Sequence, residues 1–209
     1  MPLFKIINHN SSTQILVWKI SESLLELSVD NSLTPASKLR LQSMKSEVHQ
    51  RAFLSVRKLL QHIQLTDADL TYNQTGKPFL SNQKHISISH SHQFATIIVS
   101  NHPVGIDIEI QTEKIIKIAK KFSAEVLNNK NEQNYIQKLT QIWAAKEAVF
   151  KIKNQKGISF INHIFVNPFK INQKKTTATL HFDSKTEYFK IHFHKIENYN
   201  LVYALFAVQ

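Results

Sequence analysis

The feature that most limits what this chain can become is the run Val104-Gly105-Ile106-Asp107-Ile108-Glu109, answered further along by Trp143-Ala144-Ala145-Lys146-Glu147-Ala148-Val149-Phe150-Lys151. In the first run Val104, Ile106, Ile108 and Ile110 alternate with Gly105, Asp107 and Glu109, the period of a half-buried strand, so two carboxylates leave one face. The second run is helical in composition, and on a helix Trp143, Glu147 and Lys151 fall at i, i+4 and i+8 along one side. If that side meets the acidic face of the strand, three carboxylates converge with a lysine beside them. Bare carboxylates repel one another, and a hard cation is the natural resolution.

A chain of 209 residues, 42% of them hydrophobic, can bury one sizeable core or two small ones packed together. With no cysteine it has neither a disulfide framework nor a thiolate metal site, in keeping with a reducing compartment. Residues 1–10 lack a long apolar stretch, and no later apolar run is long enough to span a bilayer, so a cytoplasmic protein without a membrane partner is expected. The net charge of +11, from 26 Lys and Arg against 15 Asp and Glu, favours polyanionic or acidic partners. The bases are scattered, without an arginine-rich arm or zinc-finger spacing, which argues against nucleic acid as the partner.

Residues 4–7 and 14–20 read as two strands, followed by a short helix over 21–27. Thr34-Pro35 marks a helix start, and Met44, Val48, Ala52, Val56, Leu59, Leu60 and Ile63 continue at helical spacing to about Gln64, with a break possible on the way. A short strand over 70–72 leads into the turn Asn73-Gln74-Thr75-Gly76-Lys77-Pro78, which holds Lys77 on a rigid tip. Strands follow over 86–91 and 94–99, and a tight connection through Ser100-Asn101-His102-Pro103 predicts that the acidic strand forms a hairpin with the strand before it. Residues 115–122 suggest a helix, 128–134 a polar loop, and 133–153 a long helix ending before Gly157. The rest is β, over 164–166, 178–182, 188–196 and 201–208. Two halves are expected, 1–103 and 104–209, each a small sheet with helices.

Four segments in this order, Gly76-Lys77-Pro78, Ile86-Ser87-Ile88-Ser89-His90-Ser91, Val104 to Glu109 and Trp143 to Lys151, resemble the 4′-phosphopantetheinyl transferases of the larger, monomeric surfactin-synthetase-activating type. The resemblance runs from about Thr34 to Gly157 and rests most on the acidic strand followed by Trp-x-x-Lys-Glu-Ala with a lysine four residues beyond the glutamate. It implies an α+β fold of two subdomains related by pseudo-two-fold symmetry, each a mostly antiparallel sheet packed with helices, with the active site between them. The implied reaction moves the phosphopantetheine arm of coenzyme A onto a serine hydroxyl of an apo acyl, peptidyl or aryl carrier protein, releasing adenosine 3′,5′-bisphosphate. Fatty-acid and secondary-metabolite synthesis both use such carriers.

By the same resemblance Asp107, Glu109 and Glu147 would hold Mg²⁺, with Mn²⁺ as a substitute, and Lys151 would contact the pyrophosphate. Glu147 is the candidate base toward the carrier serine, directly or through a water on the metal. Gly76, Lys77 and Pro78 match the turn laid against the adenine, His90 with Ser89 the group at the 3′-phosphate, and Arg40 a basic position for the nucleotide phosphates, with Arg51 a looser match. Lys146 lies about 100° round the helix from Glu147, and either reaches a phosphate or buttresses the helix. Trp143 reads as core, and so do Ile115, Ile116 and Phe122, in preference to a carrier-docking role. His192 and His194 read as an exposed strand face alternating with Phe189 and Phe193. Phe122-Ser123-Ala124-Glu125 is one residue short of the family's Phe-Ser-x-x-Glu segment, so Glu125 need not fill that glutamate's place. Rival readings are a non-catalytic module that binds coenzyme A or a carrier protein, and a basic nucleic-acid-binding domain.

Overall fold

The computed structural model describes residues 3–29, 31–124 and 132–207. Glu125, residues 128–131 of the expected polar loop and Val208 lie outside the described residues. The chain divides into two compact units, Met1–His102 and Pro103–Gln209.

In the first unit, β1 (Leu3–Asn10) and β2 (Thr13–Lys19) pair antiparallel, and β5 (His85–Ser91) and β6 (Phe94–Ser100) complete a four-stranded sheet in the order β1-β2-β6-β5. Leu16 and Trp18 of β2, Ile86 of β5, and Ala95, Ile97 and Val99 of β6 share a buried core with Ala52, Val56, Leu59 and Leu60 of α3 (Glu47–His62). Those four helical residues recur at three- and four-residue intervals, the stripe by which a helix lies on a sheet. The long helix expected from Thr34 is broken, with α2 (Pro35–Ser43) ending before α3 begins. Thr34 caps α2, its side chain accepting from the Ser37 N–H. A short helix α1 (Leu24–Val29) precedes them, and a two-stranded ribbon of β3 (Leu70–Tyr72) and β4 (Pro78–Leu80) follows.

The second unit holds a five-stranded antiparallel sheet in the order β7-β11-β10-β9-β8, formed by β7 (Val104–Ile110), β8 (Ile164–Val166), β9 (Lys175–Phe182), β10 (Lys185–Ile196) and β11 (Tyr199–Phe206). The 22-residue helix α5 (Glu132–Lys153) packs across it. No glycine or proline interrupts α5, and its middle is buried nearly all round, so it serves as the unit's central element. Gly157 beyond its end takes a positive φ of 94°. The helix expected over 115–122 is α4 (Lys114–Ile118) followed by one 3₁₀ turn, with Phe122 fully buried and Ile115 and Ile116 packed on the core. A four-residue helix α6 (Phe160–His163), too short to show a period in sequence, precedes β8.

The mixed α+β class, with antiparallel sheets packed against helices, is borne out. The expected hairpin of the acidic strand is not. β6 is bonded on one side to β2 and on the other to β5, so neither of its edges is left for β7, which pairs along its length with β11. Pro103, lacking an N–H, stands where the chain leaves the first sheet.

Candidate active site

The site in the second unit starts from a glycine. A Cβ built on Gly105 would lie 1.9 Å from the backbone oxygen of Ala148, closer than any real contact, so only glycine lets α5 sit this near to β7. Ala144, Ala145 and Ala148 keep the helix side of the approach equally small. Strand alternation then turns Asp107 and Glu109 to the same face as Gly105, under the side of α5 that carries Trp143, Glu147 and Lys151.

The side chains meet there. Lys151 Nζ donates to Asp107 Oδ1 at 2.7 Å and to the Ile106 carbonyl at 2.9 Å. Trp143 Nε1 donates to Glu109 Oε1 at 3.1 Å, giving the indole a polar duty as well as packing against Phe122 and Phe160. Lys151 thus reaches across to the strand and pairs with Asp107, where an ordinary helical ion pair would have joined it to Glu147. Burial, reinforced by the charge of Asp107, pushes Glu109 up to about 7 against the Trp143 hydrogen bond and the Lys151 charge. Glu147 is likewise pushed up to about 7, by burial first and Asp107 second, with Lys151 opposing. One ammonium therefore serves three carboxylates, and the site holds an excess of negative charge whenever all three ionise.

Among the described residues, no three His, Cys, Asp or Glu side chains are spaced closely enough to hold a metal ion as they stand. The donor set itself suits a hard divalent cation: all oxygen, all carboxylate, and short of positive charge. Lys146 turns away from this cluster. It is 5% exposed, its Nζ donates to the Phe160 carbonyl at 2.6 Å, and burial lowers its pKa to about 8, so it ties α5 to α6.

The nucleotide-binding candidates lie in the first unit. In the β3–β4 turn, Asn73 accepts at its Oδ1 from the Thr75 and Lys77 N–H groups and donates its own N–H to the Lys77 carbonyl. Gly76 supplies the positive φ of 81° that closes the turn before Pro78, and Lys77 is held on a firm tip. Arg40 on α2 is exposed, with its guanidinium 4.3 Å from the centre of the Tyr72 ring. Arg51 on α3 donates from Nη2 to the Ile20 carbonyl at 3.3 Å, so part of it belongs to the scaffold. On β5, Ser89 is buried while His90 is exposed, its ring 5.7 Å from that of His49 on α3. The structure brings His49 beside His90, which no local pattern in the sequence announces.

His192 and His194 depart from expectation in degree. Both are half-buried, with their rings stacked on Tyr203 at 4.8 and 5.7 Å, and burial pushes the Tyr203 hydroxyl up to about 12. Asn200 of β11, buried directly across from Glu109, is a polar residue of the site that sequence reading missed, because its place depends on the pairing of β7 with β11.

A carboxylate cluster with an ammonium hydrogen-bonded into it, set between a glycine-bearing strand and a helix in an α+β unit, has the donor chemistry that suits hard cations and phosphates. Residues 103–204, nearly the whole of the second unit, match the family model of the 4′-phosphopantetheinyl transferase superfamily. At the level of the superfamily, the resemblance read from the sequence is borne out. Over 141 residues, 64% of this chain, the sequence is 33% identical to the 4′-phosphopantetheinyl transferase gsp of Aneurinibacillus migulanus. That match spans 57% of the relative's own length.

Proposed function

We propose that this chain is a 4′-phosphopantetheinyl transferase of the surfactin-synthetase-activating type, acting on coenzyme A and an apo carrier protein. The observation that carries the reading is the meeting of Asp107, Glu109, Glu147 and Lys151 within the unit that matches the superfamily. In the reaction the serine Oγ of the carrier forms a bond to the phosphorus of the phosphopantetheine arm. The bond from that phosphorus to the bridging oxygen breaks, and adenosine 3′,5′-bisphosphate leaves.

Each group then has a task its surroundings suit. Asp107, Glu109 and Glu147 would hold Mg²⁺ or Mn²⁺, which supplies positive charge to the pyrophosphate and its leaving oxygen. Lys151, already an ammonium on the rim of the cluster, contributes a point charge to the same phosphates. Glu147 is the base toward the serine proton, and because a carboxylate that holds a cation is itself a weak base, it would take that proton by way of a water rather than directly. Gly76, Lys77 and Pro78 support the adenine, Ser89 and His90 the 3′-phosphate, and Arg40 and Arg51 the nucleotide phosphates. An acidic carrier would be drawn to a chain of net charge +11. A cytoplasmic monomer serving fatty-acid or secondary-metabolite carriers completes the reading. Among the described residues no helix is long and apolar enough to cross a membrane.

The test is the rate at which an apo carrier gains the arm from coenzyme A with Mg²⁺ present. Asp107→Ala and Glu147→Ala are each expected to lower that rate at least about a hundredfold with the circular dichroism of the native fold retained. Wild-type turnover by either folded variant would defeat the assignment.

A further inference from the structure

The register of β7 on β11 sets Asn200 opposite Glu109, Val202 opposite Asp107 and Ala204 opposite Gly105. Residues directly opposed in an antiparallel pair share a face, with Cβ atoms about 4.5–5.5 Å apart. Asn200, Val202 and Ala204 therefore lie on the carboxylate-bearing face that α5 covers. Val202 and Ala204 are fully buried and apolar, as that position requires, whereas Asn200 is an amide only 2% exposed.

One end of this amide is accounted for. Asn200 Oδ1 accepts from Gln111 Nε2 at 3.4 Å, and Gln111 Oε1 in turn accepts from Gln133 Nε2 of α5 at 3.4 Å. This relay, from the start of α5 through Gln111 just past β7 to Asn200 on β11, fixes which way the amide faces. Its other end, Nδ2, is buried with no hydrogen-bond acceptor among the described residues. Buried amide donors are ordinarily satisfied, and the acidic neighbour that strand geometry sets beside this one is Glu109. Glu109 Oε1 takes the Trp143 indole N–H, but a carboxylate offers two oxygens and about four lone-pair directions, so a second donor can be received.

We propose that Asn200 is a positioning residue for the carboxylate site: its Nδ2, without an acceptor in this structure, takes Glu109 as acceptor once the carboxylate turns to a divalent cation and, with Trp143, fixes the orientation in which Glu109 meets it. The inference rests on the cation-binding role given to Glu109 above. Donors behind a ligating carboxylate hold its rotamer, and their loss typically weakens metal affinity about tenfold to a hundredfold. Asn200 touches neither the carrier nor coenzyme A in this assignment, so its removal acts on the cation alone.

The experiment titrates Mn²⁺ into the full chain saturated with coenzyme A and follows the electron paramagnetic resonance signal of free Mn²⁺. Wild type is compared with Asn200→Leu, which keeps the branched outline and deletes the donor, with Asn200→Ala should the larger leucine fail to fold, and with Asp107→Ala. The expected result is tight binding by wild type and none by Asp107→Ala. The folded Asn200 variant should show an approximately tenfold higher dissociation constant, with coenzyme A affinity unchanged. The Mn²⁺ concentration for half-maximal transfer should rise with it while the rate at saturating Mn²⁺ stays within about threefold. Wild-type Mn²⁺ affinity in the folded Asn200 variant would overturn the proposal alone, as would a change confined to coenzyme A affinity. Failure of wild type itself to bind Mn²⁺ would overturn the metal reading and this proposal with it.

Discussion

Asp67 collects donors from the Thr34 backbone and hydroxyl, the Ser37 hydroxyl and Arg57 Nε, the last at 2.8 Å. Burial alone would raise its pKa, but these bonds together outweigh it and hold the group below the ordinary 3.8. Its stabilising effect is therefore complete above the unfolded carboxylate's value and is lost as pH falls through the lower folded value. Asp67→Ala strands a buried guanidinium and is expected to cost about 3–5 kcal/mol at neutral pH. Urea melts from about pH 6 down to about pH 2 should show an acid-induced loss in wild type that is flatter in the variant. Parallel curves would mean that Asp67 does not titrate with folding. Glu109 and Glu147 stand in the opposite condition, raised to about 7 because burial and the charge of Asp107 outweigh the opposing Lys151 charge and, at Glu109, the Trp143 hydrogen bond. Carboxylates perturbed in this direction gather at functional sites.

At the scale of elements, the α5–β7 contact decides whether the site exists. Gly105→Ala sets a methyl against the backbone of Ala148, which cannot turn aside as a flexible side chain would, so helix and strand must separate. The expected outcome is a stability loss of about 1–3 kcal/mol with a fall in transfer of about a hundredfold, since Trp143, Glu147 and Lys151 all ride on the displaced helix. A thermal melt and a transfer rate both at wild-type level would contradict it. The facing sides of β7 and α5 were legible in the sequence because alternation and four-residue spacing are local properties. The strand partner of β7 was not, since it depends on β6 having both edges taken by strands distant in sequence. Asn200 and the Phe160 carbonyl that holds Lys146 stayed hidden for the same reason. The Asn73 to Pro78 turn, by contrast, closes on itself through Asn73 and Gly76 and could be read at sight.

For the whole molecule, a net charge of +11 acts at a distance on any acidic partner. With an acidic carrier, transfer measured as kcat/KM for the carrier should fall as salt rises from about 0.05 to about 0.5 M, while kcat at saturating carrier changes little. A salt-independent kcat/KM would show that the basic surface has no part in finding the carrier. The second unit supplies the carboxylate cluster and the first the proposed nucleotide contacts, so the account requires both in one reaction. The measurement that tests this most directly is the intact mass of an apo carrier incubated with this protein, coenzyme A and Mg²⁺, beside a control containing EDTA. The account predicts a gain of one phosphopantetheine unit that EDTA abolishes. No gain on acyl, peptidyl or aryl carriers, from folded protein that binds coenzyme A, would contradict it and leave a non-catalytic binding module in its place.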